Sequence, residues 1–271
     1  MNVIEGLAAD YPVFYLDPDK DGVESYRLTV LRGVVPENKT LTHYCGDAHD
    51  RDETVDTPAG SVRVITLGNR HDFELVIRGL MAAKNGTDVS VPESQGAAML
   101  TVFNWRRINE HLAMFPKEER SAELVRFTSV KENYIDILVV LSRGGYSNIS
   151  ASAAGHNEEE WLELSDVIRR YHELTHVICR RLYPDNIDKV RDELIADAVG
   201  LYAAYGTFDL EKAKLFLGID GGNYVGGRLE NYTSEPEKEV GEVIRQLERI
   251  DKIILANSGV EPFGLIPALM Q

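Results

Sequence analysis

Residues 157–184 read Asn157-Glu158-Glu159-Glu160-Trp161-Leu162-Glu163-Leu164-Ser165-Asp166-Val167-Ile168-Arg169-Arg170-Tyr171-His172-Glu173-Leu174-Thr175-His176-Val177-Ile178-Cys179-Arg180-Arg181-Leu182-Tyr183-Pro184. Apolar side chains recur at Trp161, Leu164, Ile168, Tyr171, Thr175, Ile178 and Leu182, the alternation of three and four that marks one buried helical face. Asn157 suits the N-cap, and three glutamates fill the first turn, where carboxylates meet the positive end of the helix dipole. Arg180 and Arg181 suit the last turn, and Pro184 stops the helix. The stretch therefore predicts one long helix with His172 and His176 beside its apolar stripe.

Histidines four residues apart lie one turn above each other, so two imidazoles can converge on one metal ion. Glu173, between them, is placed as a carboxylate that can take a proton from a metal-activated water, which is what gives the pattern H-E-x-x-H its meaning. A second helix is expected after a short turn, capped by Asp185 or Asn186 and running to about Tyr205 before Gly206. It carries Glu193 and, one turn later, Asp197. If the two helices pack antiparallel, Glu193 can supply a third ligand, and Asp197 can hold an imidazole N–H from behind.

Together these residues resemble the gluzincin zinc metallopeptidases, the thermolysin-like clan with H-E-x-x-H on one helix and E-x-x-x-D on the next. The resemblance covers roughly residues 130–205. It implies one Zn2+ per chain, ligated by His172, His176 and Glu193, with Glu173 as general base and Asp197 orienting His172. It implies a metallopeptidase acting on a peptide or protein substrate. A zinc hydrolase of a non-peptide amide, or a non-catalytic zinc protein that binds peptides, uses the same residues. The resemblance also implies that the strand upstream of the metal helix, Tyr134–Leu141 here, runs along the cleft and offers its edge to an extended peptide. An ordinary internal strand ending in the glycine turn Gly144-Gly145 is the alternative.

The 271 residues, 44% of them hydrophobic, suffice for one large domain or two intimate ones. A net charge of −15 argues against a sequence-independent grip on nucleic acid, which needs clustered cations. The first residues lack a basic segment followed by an apolar run, and no stretch is long and apolar enough for a membrane span, so a cytoplasmic protein is expected. Cys45 and Cys179 form no C-x-x-C, and a buried free thiol is expected at each.

Elsewhere the pattern predicts strands at Val13–Leu16 and Tyr26–Leu31 around a turn at Asp17–Gly22, and a solvated polar loop over Thr40–Gly60. It predicts a strand at Ser61–Leu67 and helices over Asp72–Lys84, Asn104–Met114 and Asp209–Phe216. Ser234-Glu235-Pro236-Glu237 reads as a capping box for a last helix. The apolar stripe of that helix from Val240 to Ile254 packs on the core, or alternatively serves a homodimer. In the glycine-rich loop 220–228 and just beyond it, Tyr224, Arg228 and Tyr232 are candidate donors to a developing oxyanion, with Tyr146 and His156 competing for that role. The fold expected is α+β: a mixed sheet in an N-terminal region, residues 1–130, then a mainly helical catalytic region, residues 131–271.

Overall fold

The computed structural model describes residues 2–185 and 188–271. It is an α+β protein of two compact units. The first comprises residues 1–54 and 63–142, and the second residues 55–62 and 143–271. The boundary expected at 130/131 moves to 142/143, because the strand following residue 130 is central to the first unit's sheet.

That sheet contains β1 (Arg51–Thr57), β2 (Gly60–Leu67), β3 (Ala97–Phe103) and β4 (Ile135–Ser142) in the order β1-β2-β4-β3. Strand β4 pairs in parallel with β2, from Arg63↔Leu138 to Leu67↔Ser142, and antiparallel with β3, from Ala97↔Leu141 to Phe103↔Ile135. Its run of branched residues reflects burial: Leu138, Val139, Val140 and Leu141 are all fully enclosed. With a neighbour on each side, β4 has no free edge to offer a peptide. Of the two roles open to it, it takes that of the internal strand.

The helices of this unit are α1 (Val3–Asp10), α2 (Val23–Arg32), α3 (Arg70–Asn85), α4 (Trp105–Ala113) and α5 (Arg120–Phe127). Ile4, Leu7, Phe14, Tyr26, Phe73 and Ile77 form one core with Ile65, Leu67, Leu138 and Val140 of the sheet. The strands expected at 13–16 and 26–31 are instead a 3-10 turn, Pro12–Tyr15, and α2. In α2 the buried positions, Tyr26 and Thr29, follow the helical spacing, while Leu28 and Leu31 face outward. Strand β1 emerged from the segment read as loop because its charged sequence, Arg51-Asp52-Glu53-Thr54, suits a solvated edge strand and shows no apolar alternation. Cys45, in the loop before it, is exposed rather than buried.

The second unit contains α6 (Ala151–Ala154), α7 (Glu158–Leu182), α8 (Lys189–Tyr205), α9 (Leu210–Leu217), α10 (Pro236–Ala256) and α11 (Ile266–Leu269). A two-stranded hairpin, β5 (Ile219–Asp220) and β6 (Asn223–Tyr224), follows α9. Of the caps expected for α8, Asn186 lies outside the described residues. The cap is Asp188, whose side chain accepts from the Arg191 amide at 2.8 Å. The capping box expected for α10 does not form. Glu235, preceding a proline, is held out of the helical region (φ −133°, ψ 57°), so the helix begins at Pro236. The apolar stripe of α10 joins the core through Val243, Leu247, Ile250 and Ile254, as do Leu265, Ile266 and Leu269 of the tail.

Helices α7 and α8 run antiparallel, since Ile168 meets Gly200, His172 meets Asp197 and His176 meets Asp192. Gly200 sets their closeness: a Cβ there would stand 2.6 Å from the Ile168 carbonyl oxygen. Any larger residue would push the helices apart there, one turn from His172.

Candidate metal centre

Asn157 caps α7 through its side chain, which accepts from the Glu160 amide at 3.0 Å, and this cap fixes where the helix begins. Fourteen residues further on, counting from Glu158, His172 and, one turn later, His176 point toward α8. Both imidazoles are buried. Their Nε2 atoms lie 3.0 Å apart. Glu193 of α8 brings its carboxylate oxygens to 3.4 Å from His172 Nε2 and 3.6 Å from His176 Nε2. Three donors at about 2.0–2.1 Å from a tetrahedral zinc would be separated by about 3.3 Å, and these edges scatter around that figure.

Each histidine is held from behind by its own carboxylate. His172 Nδ1 lies 2.8 Å from Asp197 Oδ1, and His176 Nδ1 lies 2.8 Å from Asp192 Oδ2. With the carboxylates ionised, the ring protons sit on Nδ1 and both Nε2 lone pairs face Glu193. With both imidazoles neutral, three lone-pair donors converge, and the charge that relieves them is either protons on Nε2 or a metal ion in their place.

The electrostatics point the same way. Burial works against charge on His172, but its hydrogen bonds with Asp197 and Glu193 outweigh that and raise its pKa. For His176 burial is likewise overcome, by Asp192 and Glu193, and the pKa rises to about 10. Burial would raise Glu193, yet the two imidazoles hold it well below the usual carboxylate range. Asp197, also pushed up by burial, is brought down to about 2 by Arg228 and His172. The pocket is built to contain positive charge.

Asp197 is the most heavily tied of these groups. Arg228 grips both its oxygens, at 2.5 and 2.6 Å, and the Tyr146 hydroxyl donates to Oδ1 at 2.6 Å. Arg228 also donates to Ser147 Oγ at 2.8 Å. Ser147 and Asn148 both have left-handed backbones, with φ of 53° and 57°, so the turn that delivers Tyr146 and Ser147 carries local strain. Arg169 braces this turn through the carbonyls of Gly144 and Gly145, at 3.1 and 3.2 Å.

The candidate oxyanion donors separate cleanly. Tyr224 bonds to Gly227 and Glu230 in the loop just after its hairpin and is not brought to the donor triangle. Arg228 comes close, but its bidentate hold on Asp197 makes it a support for His172 rather than a donor to substrate. Tyr146 is committed in the same way. His156 stacks on Trp161 and Tyr205 and pairs with Glu160, a packing role. Tyr232 is the candidate nearest a proposed ligand in its electrostatics: its phenol is pushed up by burial first, and the negative charges of Glu193 and Asp197 add to the shift. Glu173 is half-buried, and its charge acts on His176 and Arg169. Cys179 stays off the triangle: its Sγ lies 4.0 Å from Met270 Sδ, and burial first, then Asp192, raise the thiol to about 12.

Asp192 was not singled out by the sequence reading. Its only signal is adjacency to Glu193, and sorting it from the other acids of the segment requires knowing that α8 returns beside His176.

The sequence signature of a family described as a family of unknown function (DUF7005) matches residues 18–258. The chain belongs to that family. The match takes in most of both units of this DUF7005 protein, including all of α7 and α8. No curated protein and no solved structure matches it.

Proposed function

We propose that this DUF7005 protein is a zinc-dependent hydrolase of amide bonds, a metallopeptidase in the first reading. The observation that carries the proposal is the convergence of His172, His176 and Glu193, with each imidazole locked by its own carboxylate. Two nitrogens and one carboxylate oxygen are the donor set of catalytic zinc sites that keep a fourth position open. Bound zinc would supply Lewis acidity to a substrate carbonyl and to a water, whose pKa can fall to about 7.

The chain's own residues supply the rest. Glu173, on the same turn as the ligands, takes a proton from water and returns it to the leaving amine. Asp197 and Asp192 keep the imidazoles in the tautomer that presents Nε2. Arg228 and Tyr146 hold Asp197 so that it cannot rotate away. The Tyr232 hydroxyl, next to Glu193, is the remaining candidate for a donor to the oxyanion. Two unpaired thiols, Cys45 and Cys179, support placing this activity in the cytoplasm.

A second reading, hydrolysis of a small non-peptide amide, uses the same donor set; the internal strand β4 offers no edge of its own for an extended peptide to pair with. The test begins with metal content by elemental mass spectrometry on protein purified without a metal column. Near-stoichiometric zinc, followed by turnover of a peptide library that Glu173→Gln abolishes while keeping the zinc, supports the metallopeptidase. Turnover of small amides alone selects the second reading, and full activity in Glu173→Gln rejects both.

A further inference from the structure

We propose that Cys45, His71 and Asp72, in the first unit, form a second divalent-cation site, suited to zinc and bound through a thiolate, an imidazole and a carboxylate. One donor atom from each lies within 4.8 Å of the other two. They come from two segments, Cys45 from the polar loop before β1 and the adjacent His71 and Asp72 from the first turn of α3, so their meeting is a product of the fold.

Asp72 is completely buried. Its Oδ1 accepts from the Cys45 amide at 2.9 Å and its Oδ2 from the Gly46 amide at 2.7 Å. Two amide donors fix the plane of the carboxylate, while each oxygen retains a second lone pair. Asp72 is not needed as a helix cap, since the Asn69 side chain already accepts from the His71 amide at 2.9 Å. The amide bonds alone would anchor the loop; they do not account for a thiol and an imidazole gathered at the same carboxylate.

His71 shows a second sign of a ligand. Its Nε2 lies 3.3 Å from the His43 carbonyl oxygen, which can only accept. Donation there orients the ring and leaves the other nitrogen with its lone pair, the usual arrangement behind a metal-binding histidine. Cys45 and His71 are exposed, which leaves room for water at a fourth position. A thiolate and a carboxylate neutralise a dication, and Asp47 and Asp50 lie in the same loop. The mixed sulfur, nitrogen and oxygen set selects a borderline ion such as Zn2+ over Ca2+ or Mg2+, which take oxygen ligands.

The two proposed sites can be told apart by sulfur, because His172, His176 and Glu193 contribute none. The full chain, stripped with chelator, is titrated with Co2+ alone and followed for the near-ultraviolet charge-transfer band of a cobalt thiolate. The band is expected in the wild type and in His172→Ala/His176→Ala, whatever becomes of the hydrolase reading. It should persist in Cys179→Ser and vanish in Cys45→Ser, a surface change with little demand on folding. His71→Ala should weaken cobalt binding at least tenfold. Absence of the band in the wild type, or its survival in Cys45→Ser, overturns the site.

Discussion

Asp136 in the first unit and Glu193 in the second are carboxylates of nearly equal exposure, 19% and 18%, yet their neighbours are opposite in kind. Asp136 is surrounded by groups that arrive with protons: the Tyr11 hydroxyl and the Asn104 amide, each at 2.7 Å, and the Arg107 guanidinium. Every lone pair it spends meets a donor, and the cluster closes on itself. Glu193 faces two imidazoles whose ring protons are already given to Asp197 and Asp192. A saturated cluster is a staple between α1, α4 and β4. Glu193 and the two Nε2 atoms instead share a place that either protons or one metal ion can fill.

The strongest way to break this contrast is Glu193→Ala set against Asp136→Asn. We expect the first to lose one equivalent of metal and the second to leave metal content unchanged, by elemental mass spectrometry on variants made in a Cys45→Ser background, which removes the site proposed in the first unit. Full metal content in Glu193→Ala would remove the distinction.

Asp197→Asn sharpens the comparison from inside the second unit. It deprives the half-buried Arg228 of its fully buried carboxylate partner, a loss on the order of 3 kcal/mol in a denaturant melt. Metal affinity should fall about 10–100-fold as His172 loses its orienting partner. A melt unchanged from wild type would mean that Arg228 finds another partner.

Asp192→Asn is predicted to reduce metal affinity by about tenfold, the low end of the range for such supporting carboxylates, in a chelator-competition titration. Its effect on stability should be small, since Asp192 does not share the Arg228 clamp. Equal affinity in wild type and variant would show that His176 keeps its tautomer without help.

The smallest effect is expected at Asp136→Asn, roughly 1–3 kcal/mol at neutral pH from donors left short of an ionised acceptor. Burial tends to raise the Asp136 pKa, but Tyr11, Asn104 and Arg107 together lower it. A lowered folded-state pKa means that the carboxylate's contribution is complete above the ordinary value near pH 4 and fades as pH falls through the lowered one. The gap between wild type and variant should therefore narrow in acid. A gap that widens there would reverse the sign of the shift.

How much of this was legible beforehand depended on range. The cap at Asn157, the helical period through Ile178, the histidine pair and the stop at Tyr183-Pro184 are local features, and α7 lies where they put it. Strand β4 was legible because burial on both faces leaves an unbroken apolar run. Short segments with mixed signals were not. Tyr26–Leu31 satisfies an alternating pattern over six residues, but its buried members are one helical turn apart, and only packing could choose between the two periods. Strand β3, Ala97–Phe103, is a mostly apolar run too short to tell strand from helix by itself, and its pairing with β4 decides.

The sequence by itself determined the chemistry available at the centre: two imidazoles on one helical face, a carboxylate between them and an acidic pair one turn apart on the next helix. Residue type and helical geometry suffice for that, because both act over a few residues. The tertiary structure alone decided which acids do what. The antiparallel return of α8, held close at Gly200, puts Glu193 into the triangle and Asp192 behind His176. It also turns Arg228 from a candidate donor into the clamp on Asp197 and leaves Tyr224 in its own hairpin. Those assignments depend on distances between segments far apart in the chain, which no local pattern encodes.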